Sequence, residues 1–425
     1  MRVRDFLNAG HPPSLFCAFL YFDASFMVWV LIGALANAIA LDFGLNDFEG
    51  GLMVAVPLLG GAVLRIVLGL LTDRIGARRT GILGLVLTLV PLLLGWLWVD
   101  SFPQILVVGL LLGVAGASFA AALPLASRWY PPQYQGLAMG IAGAGNSGTA
   151  LATFFAPRLI PLVGWHGVFG LALIPIVLTL IVFVLFARDS PQQPAPKPLR
   201  SYGEVLGQKD TWWFCVFYSV TFGGFVGLAS FLNRYFKIQF PDISPEEAGT
   251  YATLCVIAGS LLRPIGGYLA DRFGGIRMLT ALFAGAGVLL LLQALPTSMV
   301  VSITLLFSVM ALLGMGNGAV FQLVPQRFPK EIGVITGIVG AAGGLGGFLL
   351  PTILGGLRQW TGTFAGGFIL FALAGFLSAA ALMMVSKSWA FVGEGGKVTQ
   401  GVASPAPEAN GTDPGDEEKL VPAQA

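Results

Sequence analysis

Two arginines sit inside apolar, glycine-rich runs: Arg65 in GGAVLRIVLGLLTDRIG and Arg263 in GSLLRPIGGYLADRFGG. In each copy an Asp-Arg pair follows eight residues later, and the copies lie nearly half the chain apart. A guanidinium stays protonated at any physiological pH. At bilayer depth such a charge costs several kcal/mol unless it faces a cavity or a partner. Two such costs, symmetrically placed, imply a cavity that receives something negative. The chemistry expected is anion binding, because a planar guanidinium presents paired donors that meet a planar anion in two parallel hydrogen bonds. The competing reading for each arginine is a buried acid partner, or a stem that snorkels to the surface. Asp23 is the one obvious acid inside an apolar run, and it can serve at most one of them.

The elements that carry these arginines are read as membrane-spanning helices. The chain has 425 residues, 56% hydrophobic and 10% charged, where a soluble domain has about 25% charged. Its 58 glycines fit helices that approach closely in lipid. The net charge of +2 is scattered through short loops, so no nucleic-acid partner is expected. Cys17, Cys215 and Cys255 lie in apolar runs without metal-ligand spacing and read as small buried hydrophobes. Neither a metal nor another cofactor is expected. With no nucleophile elbow and no long soluble segment, the chain does not read as an enzyme. Arg2 and Arg4 precede an apolar stretch that is too long for a signal peptide and contains Asp23, so an uncleaved first span is expected.

A span takes about 20 residues. Apolar runs predict twelve, at 14–40, 49–71, 78–98, 103–127, 134–160, 166–187, 211–236, 248–270, 276–294, 298–324, 332–357 and 361–386. The organisation expected is an N-terminal six-helix half over 1–187, a cytoplasmic connector over 188–210, a C-terminal six-helix half over 211–387, and a disordered cytoplasmic tail over 388–425. Basic residues such as Arg74, Arg78, Arg79, Arg128, Arg272, Arg277 and Arg327 gather on one side, and Asp42, Asp47, Glu49, Glu246 and Glu247 on the other. The positive-inside rule then predicts a multi-pass protein of the cytoplasmic (inner) membrane with both termini in the cytoplasm.

The halves repeat each other. LRIVLGLLTDRIGARR matches LRPIGGYLADRFGGIR, GVAGASFAAALPLASRWYP matches GMGNGAVFQLVPQRFP, and GIAGAGNSGTALATFFAP matches GIVGAAGGLGGFLLPTI. The fold class expected is an all-α membrane protein of two pseudo-symmetric six-helix halves, with alternating access around a midplane site. One chain supplies both halves, so a monomer is expected. The Asp-Arg loops join adjacent helices. Asp73, Arg74, Asp271 and Arg272 are candidate gating residues acting through ion pairs, or else simple topology anchors. Gly143, Gly145, Gly148, Gly340, Gly343, Gly344 and Gly347, with Gly140, Gly337 and Gly346, provide the thin surface on which moving helices slide.

The repeat and loop motif resemble the major facilitator superfamily over residues 10–390. The intramembrane arginines, FDASFMVW, GIAGAGNSGTALATFFAP, GIVGAAGGLGGFLLP and FYSVTFGGFVGLASFL resemble the nitrate/nitrite porter family. That resemblance implies that Arg65 and Arg263 clamp a planar anion and that Asn146 adds a polar contact. It also implies that Phe119 and Phe222 sandwich the anion, with Tyr218 as a hydroxyl donor one turn before Phe222. The function expected is alternating-access transport of nitrate, nitrite or both, serving nitrate assimilation. Carriage of another small anion such as formate or another carboxylate stays open, as does a sensor that binds without transporting.

Coupling is the remaining question. A membrane potential negative inside opposes anion uptake by ~2.3 kcal/mol per 100 mV, so uptake requires proton symport or exchange against an internal anion. Asp23 is the candidate proton-coupling residue, ahead of His11 and His166 near the membrane edges. Exchange needs no proton at an arginine-only site. Arg158, Arg234 and Lys237 at the outer helix ends either attract anions or anchor the surface. Ser118, Asn317 and Gln322 are further polar residues that could line the cavity.

Overall fold

The structure is a computed structural model and describes residues 3–191, 199–296, 298–328, 332–392 and 398–400. Its spanning helices are α1 (Pro12–Asp42), α2 (Asp47–Ile75), α3 (Ala77–Leu97), α4 (Phe102–Ser127), α5 (132–163) and α6 (165–186) in the first half. The second half holds α7 (Lys209–Gln239), α8 (Pro245–Phe273), α9 (Gly275–Gln293), α10 (Met299–Arg327), α11 (Ile332–Thr361) and α12 (Ala365–Val385). Among the described residues, eleven uninterrupted apolar segments are long enough to cross a membrane, and one of them, Leu137–Phe186, makes two crossings. Its turn is Gly164, at φ 69°, a left-handed conformation that a Cβ disfavours. Twelve crossings result, as the apolar runs predict.

The repeat is visible in how helices start and stop. α2 and α8 both begin with a capping box, Asn46 with Glu49 and Ser244 with Glu247, which satisfies two otherwise unpaired amides at each helix start. Both end at a glycine with positive φ, Gly76 at 90° and Gly274 at 89°, and the next helix starts from that same residue. The glycine of each Asp-Arg loop is therefore the turn itself. Within the halves, α2 lies on α4 with Gly60 against Gly113, and α8 lies on α10 with Gly259 against Gly314. A Cβ at any of these four would strike backbone of the facing helix.

The main helix pairs joining the halves are α1 with α7, α2 with α11 and α5 with α8, and α2 also meets α7 at Asp47 and Arg234. All of them meet toward the end where α2 and α8 begin. Asn37 Nδ2 donates to Asn233 O at 3.1 Å, Asn233 Nδ2 to Ala34 O at 3.3 Å, and Thr153 and Thr253 share a 2.8 Å hydroxyl contact. Arg158 donates to Thr250 Oγ1 at 2.7 Å, and Arg358 pairs with Asp47. At the Asp-Arg loop end, by contrast, a Cβ added at Gly140, Gly143, Gly333 or Gly337 would find nothing within 4 Å. The halves are closed at the α2 and α8 starts and parted at the opposite end.

The tail differs from the disorder expected where it is described. Trp389 is buried, stacks on Phe214 at 5.2 Å and donates to Asp210 at 3.1 Å, which also accepts from Arg327 at 2.6 Å. Strands Ala390–Val392 and Val398–Gln400 pair antiparallel, with Ala390 opposite Gln400. The Phe214 ring near the start of α7 is what Trp389 covers. Residues 393–397 and 401–425 lie outside the described residues, as do 192–198 of the connector, whose remainder includes a helix, Leu199–Leu206.

Candidate anion-binding site

Arg65 is 1% exposed at the centre of the molecule. Its Nη2 donates to Gly116 O at 2.8 Å in its own half, and its Nη1 to Gly340 O at 2.7 Å in the other. The Gly116 carbonyl is free for this because α4 breaks there. Ala120 N turns to Ala117 O at 3.0 Å instead of reaching back a full turn to Gly116. A local interruption of the helix ladder thus supplies the acceptor that a buried guanidinium needs.

Aromatic faces complete the enclosure. The Arg65 guanidinium carbon lies 5.2 Å from the Phe222 ring centre, 5.4 Å from Phe119 and 5.8 Å from Trp29. The Arg263 guanidinium lies 5.8 Å from the same Phe119 ring, so both arginines address one phenylalanine. These are cation–π distances, which hold a desolvated charge without neutralising it. Tyr218 stacks on Phe222 with centres 5.0 Å apart and planes 2° from parallel, and interacts electrostatically with both arginines. A π-helical turn, Ser219–Gly223, follows Tyr218 in α7 and carries Phe222, a distortion frequent at functional sites.

Buried donors and acceptors without hydrogen-bond partners include Arg65 Nε, Arg263 Nη1 and, on α5, both amide atoms of Asn146. Asn146 is 1% exposed and sits in a 3-10 turn, Ala144–Ser147, that interrupts α5. Its neighbour Gly145 abuts Phe22, whose ring lies 5.5 Å from Phe119. Buried polar groups are normally paired, so this group of atoms suits a small polar ligand. Among the described residues, neither Arg65 nor Arg263 forms an ion pair.

Asp23 is not their counter-charge. Its carboxylate accepts from Ser147 Oγ at 2.7 Å, at the same 3-10 turn that carries Asn146. His11 lies beside Ser14 and Trp129, and His166 makes a 2.7 Å contact with Val99 O. Asp73 accepts from Arg128 of its own half at 2.7 Å, while Arg74, Asp271 and Arg272 are exposed. Gly145 and Gly148 abut α1 backbone, Gly340 lies against the Arg65 stem, Gly343 against Tyr218, Gly344 against Ala62 and Gly347 against Val226. Ser118, Asn317 and Gln322 each carry a buried side-chain atom without a partner.

Two further neighbours of the site are not among the candidate residues, although Trp29 closes the run FDASFMVW. Trp29 donates to Pro57 O at 2.7 Å and fills the space left by Gly61 and Gly116. Phe321 lies 6.1 Å from Phe119 and meets Tyr218 edge-on at 4.9 Å. The one signal for Phe321 is the repeat, where GASF at 116–119 answers GAVF at 318–321.

The Major Facilitator Superfamily profile matches residues 17–351 and 230–401. The chain is 37% identical to the Nitrite extrusion protein of Bacillus subtilis over 83% of its length and 90% of that protein. It is 36% identical to the Probable nitrate/nitrite transporter NarK2 of Mycobacterium tuberculosis, covering 78% and 85% of the two chains. With the Probable nitrate/nitrite antiporter NarK1 of Thermus thermophilus it shares 32% over 85% and 88%. In fold it is similar to a bacterial homolog of the human lysosomal transporter Spinster (TM-score 0.68, 17% identity, 88% and 96% covered). It is likewise similar to the xylose transporter XylE of E. coli (TM-score 0.69, 14% identity, 87% and 97% covered).

Proposed function

Since this chain belongs to the nitrate/nitrite-type transporters of the Major Facilitator Superfamily, we propose that it exchanges nitrate and nitrite across the inner membrane, holding each anion between Arg65 and Arg263. It is a secondary-active transporter of the multi-pass type and not an enzyme. The observation that carries the proposal is the pair of guanidiniums sharing Phe119 with unpaired N–H groups and, among the described residues, no carboxylate in ion-pair contact. Nitrate and nitrite are planar and weakly hydrated. Phe119 and Phe222 offer flat faces, Asn146 and Tyr218 offer polar atoms, and the fork of each arginine offers parallel donors.

Exchange follows from the charges. Without an anion, two like charges at low dielectric repel across the halves, so the anion-free carrier resists the movement that closes it. An anion bound between them draws the halves together, and the return journey requires another. On the positive-inside assignment, the parted end is cytoplasmic and both termini lie there. When that end closes, Asp73, Arg74, Asp271 and Arg272 approach one another and the open glycines on α5 and α11 come into contact. The monomer is the working unit.

A second reading, proton-coupled uptake, draws on the Asp23–Ser147 hydrogen bond. Protonation of Asp23 would change that contact and, through the 3-10 turn, the position of Asn146. The deciding experiment is anion uptake by purified protein in proteoliposomes, with either preloaded nitrite or an imposed proton gradient. Nitrate uptake that requires internal nitrite and disappears in Arg65→Ala and Arg263→Ala is the result expected. Uptake driven by the proton gradient alone would replace exchange by symport. Uptake of formate with neither nitrate nor nitrite carried would overturn the substrate.

A further inference from the structure

At the end where the halves meet, one carboxylate serves two arginines. Asp47, the first residue of α2, pairs with Arg358 near the end of α11 and lies 3.6 Å from Arg234 near the end of α7. Arg234 is 5% exposed, donates to Asn46 O at 3.4 Å, and has an Nε without a partner. Gly50 permits this approach, since a Cβ there would collide with the Arg234 guanidinium. Arg234 and Arg358 are close enough to repel each other electrostatically. Among the described residues, Asp47 is the one carboxylate in ion-pair contact with either.

Both arginines belong to the C-terminal half, and Asp47 belongs to the N-terminal half. When the halves part at this end, Asp47 leaves with α2, and two like charges stay together on the wall of the opening cavity. A cavity of about 470 Å³ already lies there between the halves, lined by Asn37, Asp47, Arg234, Lys237 and Glu246 among others. Of the charged residues lining it that belong to the C-terminal half, Arg234 and Lys237 outnumber Glu246. Adjacent guanidiniums without a counter-charge are unfavourable at low dielectric, and a planar anion relieves this through charge-assisted hydrogen bonds.

We propose that Arg234 and Arg358 form a second binding site for a small planar monoanion at the outer mouth of the transport path, and that the Asp47 carboxylate fills this site while the outer end is closed. An incoming anion and Asp47 exclude each other there, so the outer end shuts only after the anion has moved inward. The ligand class rests on the anion-transport reading above, but the test does not require transport.

The test uses purified full-length protein in detergent, with Arg263→Ala to disable the inner site and Ala34→Cys as reporter. Ala34 is 4% exposed and its carbonyl is held by Asn233 across the halves, so its reaction with a hydrophilic maleimide reads parting at this end. Asp47→Ala is expected to raise the labelling rate several-fold in gluconate. Nitrate or formate at millimolar concentration should return it toward the parent rate by occupying the vacated position. Adding Arg234→Gln should abolish that rescue. Unchanged labelling in Asp47→Ala, no response to either anion, or a response that survives Arg234→Gln would overturn the proposal. Where Asp47→Ala does not fold, Asp47→Ser, which also removes the carboxylate and leaves room for the anion, carries the same test with the same signs. Because formate serves as a probe beside nitrate, a failure of the nitrate assignment in uptake assays leaves this result readable.

Discussion

Arg65 reaches across the molecule to Gly340: a side chain of the first half donates at 2.7 Å to a backbone carbonyl of the second. Its other terminal nitrogen is held at 2.8 Å by Gly116 within the first half. The same guanidinium proposed to hold the anion therefore also ties the halves together, and a change at the anion is felt directly at a moving interface. Arg263 shares the Phe119 face, but among the described residues it has no such hydrogen bond across the halves.

Replacing Arg65 or Arg263 by lysine keeps the charge and removes the planar fork. Loss of one charge-assisted hydrogen bond costs roughly 1.5–3 kcal/mol, so nitrate affinity should fall by roughly tenfold to a hundredfold. Calorimetric titration of purified protein measures this. Arg65→Lys should also loosen the contact to Gly340, and therefore slow exchange more than Arg263→Lys does. Equal affinity in wild type and both variants would argue against the clamp.

Gly337 and Gly140 have open space where a side chain would go. Gly337→Val should leave the observed conformation and its anion binding intact while blocking closure of the parted end. The expected result is unaltered nitrate binding with exchange lost. At Gly344 the outcome reverses, because a Cβ there would come within 2.9 Å of the Ala62 side chain at the joined end. Gly344→Val should therefore lower thermal stability as well as exchange.

Asp23→Asn separates the two driving modes. Under exchange, nitrite-driven nitrate uptake persists, because the amide can still accept from Ser147 and no proton is carried. Loss of uptake only under a proton gradient would instead assign Asp23 to coupling. Both are read in the same proteoliposomes by changing the internal solution.

Trp29→Ala empties a buried site beside Arg65 and should cost about 3–5 kcal/mol of stability, seen as a lower unfolding temperature. Trp29→Phe fills most of the space but leaves the Pro57 carbonyl without its donor, a loss of about 1–3 kcal/mol. In Trp29→Ala, Arg65 also loses one of its aromatic faces, so nitrate binding should weaken there, while Trp29→Phe keeps a ring and should bind nitrate more nearly as the wild type does.

Much of the architecture is legible in the amino-acid sequence. Arg65 and Arg263 announce themselves because a permanent charge inside an apolar run is costly and needs a reason. The repeat marks Gly76 and Gly274 as equivalent turns, and the apolar runs mark the crossings. Tyr218, Phe222, Phe119 and Asn146 stand out only through family resemblance, since 32 phenylalanines in one chain make any single one core by default. Trp29 sits at the end of the family-like run FDASFMVW without standing out in it, Phe321 looks like an ordinary apolar residue, and nothing local distinguishes an aromatic that faces a guanidinium from one that faces leucine.

What the sequence determined by itself is the inventory and its symmetry: two unavoidable charges, two halves to carry them, and glycines where helices must come close. What only the tertiary structure decided is which groups satisfy which. The Gly116 carbonyl accepts from Arg65 because α4 breaks at Ala117, Asp23 turns to Ser147 rather than to an arginine, and Asp47 is shared by Arg234 and Arg358. Hydrogen bonds and ion pairs form between atoms brought together from distant positions, and small differences in helix path choose among several chemically equal partners. A linear pattern can therefore state that a buried charge needs a partner, while only the packed chain decides which one it receives.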